Sequence, residues 1–436
     1  MARQLHINLF VQSRGHHEAS WRHPKATPKA LTDIGYLQEM AQLAERGKLD
    51  SIFLADQLNV TPDATRAPRN WLEPITVLPA LAAVTDRVGL IATASSTYTE
   101  PFNLARQFAS IDHISGGRAA WNIVTSWSAP AARNFGDETQ VSHADRYVRA
   151  EEFVQVVKAL WNSWDEDAIV DNRVTGEYIR EGSFRPINHK GVHYSVAGPL
   201  NAPRGPQGRP VLVQAGSSET GRSFAARNAE AVFTAHLELE TAKDFYADLK
   251  ARASDFGRDP DHIVILPGLS PMIGSTEVEA KRFAEELDSL ADPEVGRKRL
   301  SARFGGYDFS HLPLDTPLSH HDLPDPETVE AARSRAETIV GFVKREGATL
   351  RQLLAKLAGA RGHFTFAGTP KQVADLMESW VEAKAADGFN LMPPVLPWMA
   401  EVFIDEVLPI LRKRGLFREE YTGTTLRDHL GIPGYS

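Results

Sequence analysis

The segment from Ile111 to Trp127, IDHISGGRAAWNIVTSW, decides how the rest of this chain is interpreted. A polar turn with two glycines leads directly into Ala119–Thr125, an apolar run that is short enough to be a buried strand. The run ends in side chains that a buried strand does not need for packing: Asn122, Thr125 and Ser126. In parallel α/β folds, ligands bind at the carboxyl ends of the strands. We therefore predict a strand whose far end faces a ligand.

The composition is that of an ordinary globular protein. The chain has 436 residues, 42% hydrophobic and 24% charged, enough for one large core. It contains no cysteine, which excludes disulfides, thiolate catalysis and cysteine metal ligands. A net charge of -8 gives no electrostatic basis for binding nucleic acid or an anionic membrane. With no signal-peptide or membrane-spanning pattern either, we expect a cytoplasmic protein.

Strand and helix patterns alternate along the chain, which favours a parallel α/β architecture. Eight strands are predicted, most of them followed by a helix: His6–Gln12, Ser51–Asp56, Val88–Ser95, Ala119–Thr125, Val211–Gly216, Ala231–Ala235, one within His262–Ile273, and Gly388–Pro393. The alternation fails over about 165–210 and 294–362, which we interpret as insertions. No GxGxxG motif follows the first strand, which argues against a doubly wound dinucleotide-binding sheet. The predicted fold is a (β/α)8 TIM barrel, a single domain over residues 1–436 with inserted segments.

On this fold, polar residues gather at the carboxyl ends of the strands. They are Asp56, Thr93, Asn122, Thr125, Ser217 and Ser218. Loop polarity and helix capping explain each residue taken alone equally well. Because a barrel brings all its strand ends to one face, the six together predict a polar site there.

A second pattern marks the start of the helix predicted over Ser142–Trp161. His143 and Tyr147 are four residues apart, hence on one face of its first turns. The free N–H groups of this helix start and of the Gly216-Ser217-Ser218 turn could hold a phosphate with little help from Lys or Arg. The spacing alone favours a simpler interpretation, with His143 as a surface residue and Tyr147 as a core aromatic.

The loop after the first strand, GHHEASWRHP at 15–24, concentrates His16, His17, Trp21 and His23. Histidines in a loop without a carboxylate at a recognisable spacing do not predict a metal site. We interpret them as residues that line a substrate pocket. Ser217 does not lie in a GxSxG elbow, so a serine hydrolase is not indicated.

The motifs, read in order, resemble one family across nearly the whole chain. They are LAD at 54–56, IDHISGGRAAWNIVTSW at 111–127, ARNFG at 132–136, HADRYVRAEEF at 143–153, QAGSS at 214–218, YDFSHLPLDTPL at 307–318, DGFNLMPP at 387–394 and RGLFREEYTGTTLRDHLGIP at 414–433. The sequence resembles the flavin-dependent monooxygenases of the nitrilotriacetate, EDTA and dibenzothiophene-sulfone type, a branch of the bacterial luciferase-like superfamily.

The resemblance implies a luciferase-like barrel that binds reduced FMN (FMNH2) supplied by a separate NAD(P)H-dependent flavin reductase. Oxygen would add to the flavin as a C4a-peroxide or hydroperoxide, which oxygenates a small organic substrate. A homodimer or homotetramer is the implied assembly. Whether a C–N, C–S or C–H bond is attacked stays open. Two alternatives also stay open: a deazaflavin- or flavin-dependent reductase or dehydrogenase of the same superfamily, and a non-catalytic flavin-binding protein.

The resemblance also implies roles for individual residues. Asp56 and Thr93 would lie near the isoalloxazine and ribityl chain with Asn122 beside them, although Ser95 could serve in place of Thr93. The ribityl tail and phosphate would be held by His143, Tyr147, Ser217 and Ser218. This favours the phosphate interpretation of His143 and Tyr147 over the simpler one. His17 is our hypothesis for a catalytic residue on the substrate side of the flavin.

Overall fold

The computed structural model describes residues 4–66, 68–126, 128–329, 333–360 and 362–434; Trp127, the last residue of the segment quoted above, lies outside these ranges. Strands and helices are numbered in chain order. The barrel strands are β1 (His6–Val11), β2 (Ser51–Leu54), β3 (Gly89–Ser95), β4 (Ala119–Val124), β9 (Val211–Gln214), β10 (Ala231–Thr234), β11 (Val264–Ile273) and β13 (Gly388–Leu391). Each pairs in parallel with the next, and β13 closes the ring onto β1. The predicted eight-stranded barrel is confirmed.

Helices surround the barrel and build the segments between its strands. They are α1 (Ile34–Arg46), α2 (Pro74–Ala82), α3 (Pro101–Ser115), α4 (Ala129–Ala132), α5 (His143–Trp161), α6 (Glu219–Asn228), α7 (Leu239–Asp255), α8 (Glu277–Ser289), α9 (Pro293–Arg303), α10 (Arg333–Glu346), α11 (Leu350–Ala360), α12 (Pro370–Glu382), α13 (Trp398–Val402), α14 (Leu408–Lys413) and α15 (Leu426–Leu430). Within the described ranges, every helix is too short or too polar to span a bilayer.

A ninth parallel strand, β12 (Phe364–Gly368), lies outside the ring, where the sequence analysis placed no strand. The ten-residue strand β11 is longer than its barrel partners need, since β10 and β13 pair only with 264–269. The remaining edge would expose unpaired backbone groups. β12 pairs with it from Leu269 to Ile273 and satisfies those groups.

The two segments interpreted as insertions have different structures. Within 165–210, β5 (Ile169–Asn172) pairs with β6 (Glu177–Ile179), and β7 (His189–Lys190) with β8 (Ser195–Val196), as two antiparallel hairpins. Within 294–362, α9, α10 and α11 contribute to a hydrophobic cluster of their own that includes Leu300, Phe309 and Leu350.

Aromatic side chains fill the middle of the barrel. Phe53 contacts both Phe10 and Phe233, with ring centroids 4.4 and 4.7 Å apart. At the amino ends of the strands, α15 inserts Leu426 and Leu430 into the same interior cluster. The barrel is therefore closed at its amino end by the segment that follows its last strand.

Two buried ion pairs hold that closing segment to the barrel. Arg418 donates to Asp50 at 2.6 Å, and Arg427 donates to Glu230 at 2.9 Å. Arg209 lies 3.3 Å from the same Glu230 carboxylate. Nearby arginines hold the pKa of Asp50 and of Glu230 at about 2 against the opposing effect of burial. Both carboxylates therefore stay charged throughout the physiological pH range.

The Gly-Gly turn at 116–117 ends α3. Gly116 and Gly117 have φ values of +67° and +89°, in the left-handed region that favours glycine. The N–H of Gly117 donates to the carbonyl of Asp112 at 2.8 Å. The buried Asp112 side chain accepts a hydrogen bond from Gln207 at 2.7 Å. This end of the segment is structural, and its polar residues fix the turn.

Asp112 makes the stability of the fold depend on pH. Burial raises the pKa of Asp112 from 3.8 to about 6, so the folded state retains a proton that the unfolded chain releases earlier. The free energy of unfolding therefore falls as the pH rises from about 4 to 6. We expect Asp112→Asn to remove this fall, a gain over the wild type of at most roughly 3 kcal/mol above pH 6. Urea denaturation at pH 4.5 and pH 7.5 measures it, and an equal difference at both pH values would contradict it.

Candidate functional site

The carboxyl ends of β3 and β4 form the first part of the site. Thr93 and Asn122 are direct partners in the strand register, and the Asn122 amide donates to the Thr93 hydroxyl at 2.9 Å. Both side chains are buried, and the carbonyl oxygen of the Asn122 amide has no hydrogen-bond partner within the described structure. Ser95, the alternative to Thr93, is 2.8 Å from Ser126. The predicted pair Thr93 and Asn122 thus lies together, with one acceptor left for a ligand.

The amino ends of α5 and α6 form the second part. Ser142 caps α5 and Ser218 caps α6, each through its hydroxyl. The Ser218 hydroxyl lies 3.4 Å from the imidazole Nε2 of His143. The centroids of the His143 and Tyr147 rings are 4.9 Å apart. The side chains of Ser218, Thr125 and Gln214 lie around the Tyr147 hydroxyl and moderate the rise that burial causes in its pKa. Two helix starts and the end of β4 therefore meet around one phenol.

Two glycines, Gly216 and Gly221, let the starts of α5 and α6 pack closely around Tyr147, and we call this region the Tyr147 cradle. A Cβ atom on Gly221 would lie 2.9 Å from the Tyr147 hydroxyl and 3.0 Å from the Ser218 hydroxyl. A Cβ atom on Gly216 would lie 3.0 Å from the Cα of Gly221. Backbone N–H groups at the start of α6 can then approach a bound group that side chains would otherwise keep away. The neighbouring Ser217 is exposed at the edge of this cradle.

Arg146, in the first turns of α5, was not predicted from the sequence as a site residue. It is 7% exposed, its Nη1 donates to the carbonyl of Val141 at 3.0 Å, and its Nε has no partner within the described residues. No carboxylate forms an ion pair with Arg146 there. Partial burial of His143 lowers the pKa of that imidazole, and the charge of Arg146 adds to this effect. The phosphate site was predicted with little help from Lys or Arg, and Arg146 is a nearby cation that this prediction did not consider. Its position three residues after His143 in HADRYVRAEEF was the only signal in the sequence.

Asp56 lies two residues beyond β2 and is half-buried. Its carboxylate accepts a hydrogen bond from the N–H of Gln57 at 2.8 Å. Burial raises the pKa of Asp56, and the charge of Glu73 adds to this effect. The residue is on the predicted face of the barrel, separate from the Tyr147 cluster.

The histidines of the opening loop each have a structural partner. The His16 Nε2 lies 2.9 Å from the carbonyl oxygen of Phe10, and the ring of His23 stacks on Trp398 at 5.1 Å. The Nε2 of His17 lies 3.0 Å from the carboxylate of Asp288, and its Nδ1 accepts a hydrogen bond from the N–H of Ala19 at 3.1 Å. His17 therefore connects the loop after β1 to the carboxyl end of α8.

Comparison with known proteins gives this geometry a context. The luciferase-like monooxygenase family matches residues 9–387. N-acetyl-S-(2-succino)cysteine monooxygenase of Bacillus subtilis (strain 168) is 50% identical over 99% of this chain and 97% of its own length. Nitrilotriacetate monooxygenase component A of Aminobacter aminovorans is 46% identical, with the same two coverages of 99% and 97%.

A solved structure shares the fold as well. A riboflavin lyase crystallised with modified FMN and riboflavin is 33% identical and has a TM-score of 0.86, covering 99% of this chain and 96% of its own. The motifs quoted from the sequence predict the same relationship. The chain belongs to the bacterial luciferase-like monooxygenase family, in the branch that includes nitrilotriacetate monooxygenase.

Proposed function

We propose that this protein is the oxygenase component of a two-component, FMN-dependent monooxygenase. It would take reduced FMN from a separate NAD(P)H-dependent flavin reductase and use O2 to oxygenate a small organic substrate. When bound, the reduced flavin supplies the electrons that activate oxygen. The chain's own residues bind and orient this cofactor and keep water from it.

The cradle around Tyr147 is the observation that carries the proposal. Two helix starts and two glycines without room for a side chain meet around Tyr147, and the buried cation of Arg146 acts electrostatically on Tyr147 and His143. Helix N–H groups and a guanidinium are donors for a phosphate monoester. The orphaned acceptor of Asn122 offers a hydrogen bond to a polar ring or ribityl group. These residues fit FMN as a ligand.

Each residue then has a physical task. Burial raises the pKa of Tyr147, so its hydroxyl stays protonated and can donate to a phosphate or to Ser218. The lowered pKa of His143 keeps its imidazole neutral near pH 7, so it can form hydrogen bonds without adding charge. Ser217 and Ser218 would complete the phosphate contacts. Asp56, Thr93 and Asn122 would lie along the ribityl chain and isoalloxazine.

The dependence on a separate reductase also has structural support. His143 and Ser217 are exposed at the mouth of the cradle, so the phosphate end is open to solvent for exchange of free flavin. The name of one close relative, component A, describes a multi-component system.

The test is substrate-dependent incorporation of oxygen. The purified protein is combined with FMN, a flavin reductase, NADH and 18O2, and a panel containing nitrilotriacetate, N-acetyl-S-(2-succino)cysteine, dibenzothiophene sulfone and dimethyl sulfide. We expect FMN binding, oxygen uptake above the reductase background with at least one compound, and one 18O atom in its product. FMN binding without incorporation would support a carrier. Turnover with a reduced deazaflavin in the absence of oxygen would support a reductase.

His17 gives a prediction within the same assay. Replacing it with alanine removes the hydrogen bond to Asp288, which holds the opening loop against α8. In our proposal this loop lies on the substrate side of the flavin. We expect kcat/KM for the turned-over substrate to fall on the order of tenfold because the loop loses its position. The dissociation constant of FMN should not change. His262→Ala is the control, because the His262 side chain is exposed at the amino end of β11, the opposite end of the barrel. Equal kinetics of the two variants would contradict the role of His17.

A further inference from the structure

A second concave region opens on the same face as the proposed flavin site. It is a cavity of about 230 Å³ bounded by the loop after β1, the loop after β2 and the joint between α8 and α9. In the ring of strands, β1 and β13 lie opposite β4 and β9, whose ends carry the Tyr147 cradle. The cavity is therefore across the mouth of the barrel from the proposed phosphate site.

Contacts between distant segments hold the walls of this cavity in place. The indole N–H of Trp21 donates to the carbonyl of Arg66 at 3.0 Å. The guanidinium of Arg66 forms an ion pair with Asp292, which also caps α9. Glu18 forms an ion pair with Arg299 of α9 at 2.7 Å. The cavity is thus preformed, which lowers the ordering cost of binding.

The lining carries two carboxylates, Glu18 and Asp292, and two guanidiniums, Arg22 and Arg66, while Arg299, outside the lining, adds a third cation. Each wall carboxylate already has an arginine, since Glu18 pairs with Arg299 and Asp292 with Arg66. Arg22 also lines the cavity, and its guanidinium donates to a neutral acceptor, the carbonyl of Leu290. Among the described residues no carboxylate forms an ion pair with Arg22. One guanidinium with unused N–H donors therefore remains on the wall.

The rest of the lining is apolar. Ala19, Leu290 and Val295 form the surface beside Arg22, and Val295 is 5% exposed. A planar guanidinium binds a carboxylate through two parallel hydrogen bonds, and an apolar wall accepts a hydrocarbon or thioether portion. The cavity combines both features within the volume of a small molecule.

We propose that this cavity is the substrate pocket and that Arg22 selects a small organic acid through one of its carboxylates. Oxygenation of this acid rests on the proposed function, whereas binding of the acid in the cavity does not. Arg22 acts as a specificity residue: it contacts the substrate away from the bond that is oxygenated. Uncharged substrates of the same size should bind more weakly.

Calorimetric titration of the full-length protein, without turnover, tests the proposal. The probes are N-acetyl-S-(2-succino)cysteine and nitrilotriacetate, each compared with its fully methyl-esterified form. We expect the wild type to bind at least one acid at least tenfold more tightly than its ester. Arg22→Gln should lose that preference, and Arg22→Lys should retain part of it because a point charge lacks the bidentate geometry. Arg173→Gln, on an exposed hairpin, is the matched control and should bind as the wild type does.

Three results would overturn the proposal: neither acid binds better than its ester, the Arg22→Gln protein binds the acids as the wild type does, or the control loses the preference equally. None of these depends on oxygen uptake. A protein that binds acids through Arg22 but incorporates no oxygen would refute the proposed function and leave the pocket assignment standing.

Discussion

Replacing Glu230 with glutamine is expected to lower the free energy of unfolding by about 3–5 kcal/mol, the cost of leaving buried arginine charges without their partner. Glu230 is buried, receives hydrogen bonds from Arg427 at 2.9 and 3.1 Å, and accepts the N–H of Leu212 at 2.9 Å. Because its pKa is lowered to about 2, this stabilisation is complete above the unfolded pKa of 4.5 and is lost only as the pH falls toward 2.

Urea denaturation at pH 7, followed by fluorescence and circular dichroism, measures the effect. Asp315→Asn is the control because Asp315 forms its ion pair with Arg351 on the exposed surface, where such pairs contribute little. We expect no measurable shift of the urea midpoint for the control. A shift for Glu230→Gln no larger than that of Asp315→Asn would show that the buried pair does not hold the closing segment.

Replacing Arg146 with glutamine is expected to weaken FMN binding by about 10- to 100-fold, the usual contribution of a hydrogen bond to a charged group. Arg146 is the buried cation next to the Tyr147 cradle, and its Nε is unpartnered within the described residues. Binding of riboflavin, which lacks the phosphate, should change little. Quenching of flavin fluorescence by the apoprotein gives both dissociation constants without turnover.

The same helix provides a matched control. Arg149 follows three residues later, and its Nε donates to the Tyr194 hydroxyl at 2.8 Å, away from the cradle. Arg149→Gln should bind FMN and riboflavin as the wild type does. If Arg146→Gln weakens both ligands equally, the residue supports the fold of α5 and does not contact the phosphate.

Local patterns were sufficient to predict the barrel because each strand is short and apolar and many helices begin with a recognisable cap. Ser142 caps α5 and Thr369 caps α12 through the side-chain hydrogen bonds that their sequences indicate. The strand β12 was missed because its first four residues are only half-buried and carry no clear alternation. It exists because β11 is long, which is a property of another part of the chain.

Some residues of the candidate site could be predicted from the sequence, and others could not. Thr93 and Asn122 could be anticipated because they end neighbouring strands, whose register places them side by side. Arg146 could not, since an arginine in an amphipathic helix usually extends into solvent and only tertiary packing buries it. The partners of the opening loop were also beyond local reasoning. His17 meets Asp288 across 271 positions of sequence, and Arg22 meets Leu290 across 268.

The closure of the barrel by α15 has a consequence for biosynthesis. Arg418, Arg427 and Leu430 follow all eight barrel strands, so they leave the ribosome after the last strand has emerged. Until then the nascent barrel exposes an apolar opening, with Asp50 and Glu230 lacking arginines that neutralise them in the finished fold. Such an intermediate is prone to aggregate and is a natural substrate for chaperones. Completion of this fold therefore waits for a segment that is made after the last barrel strand.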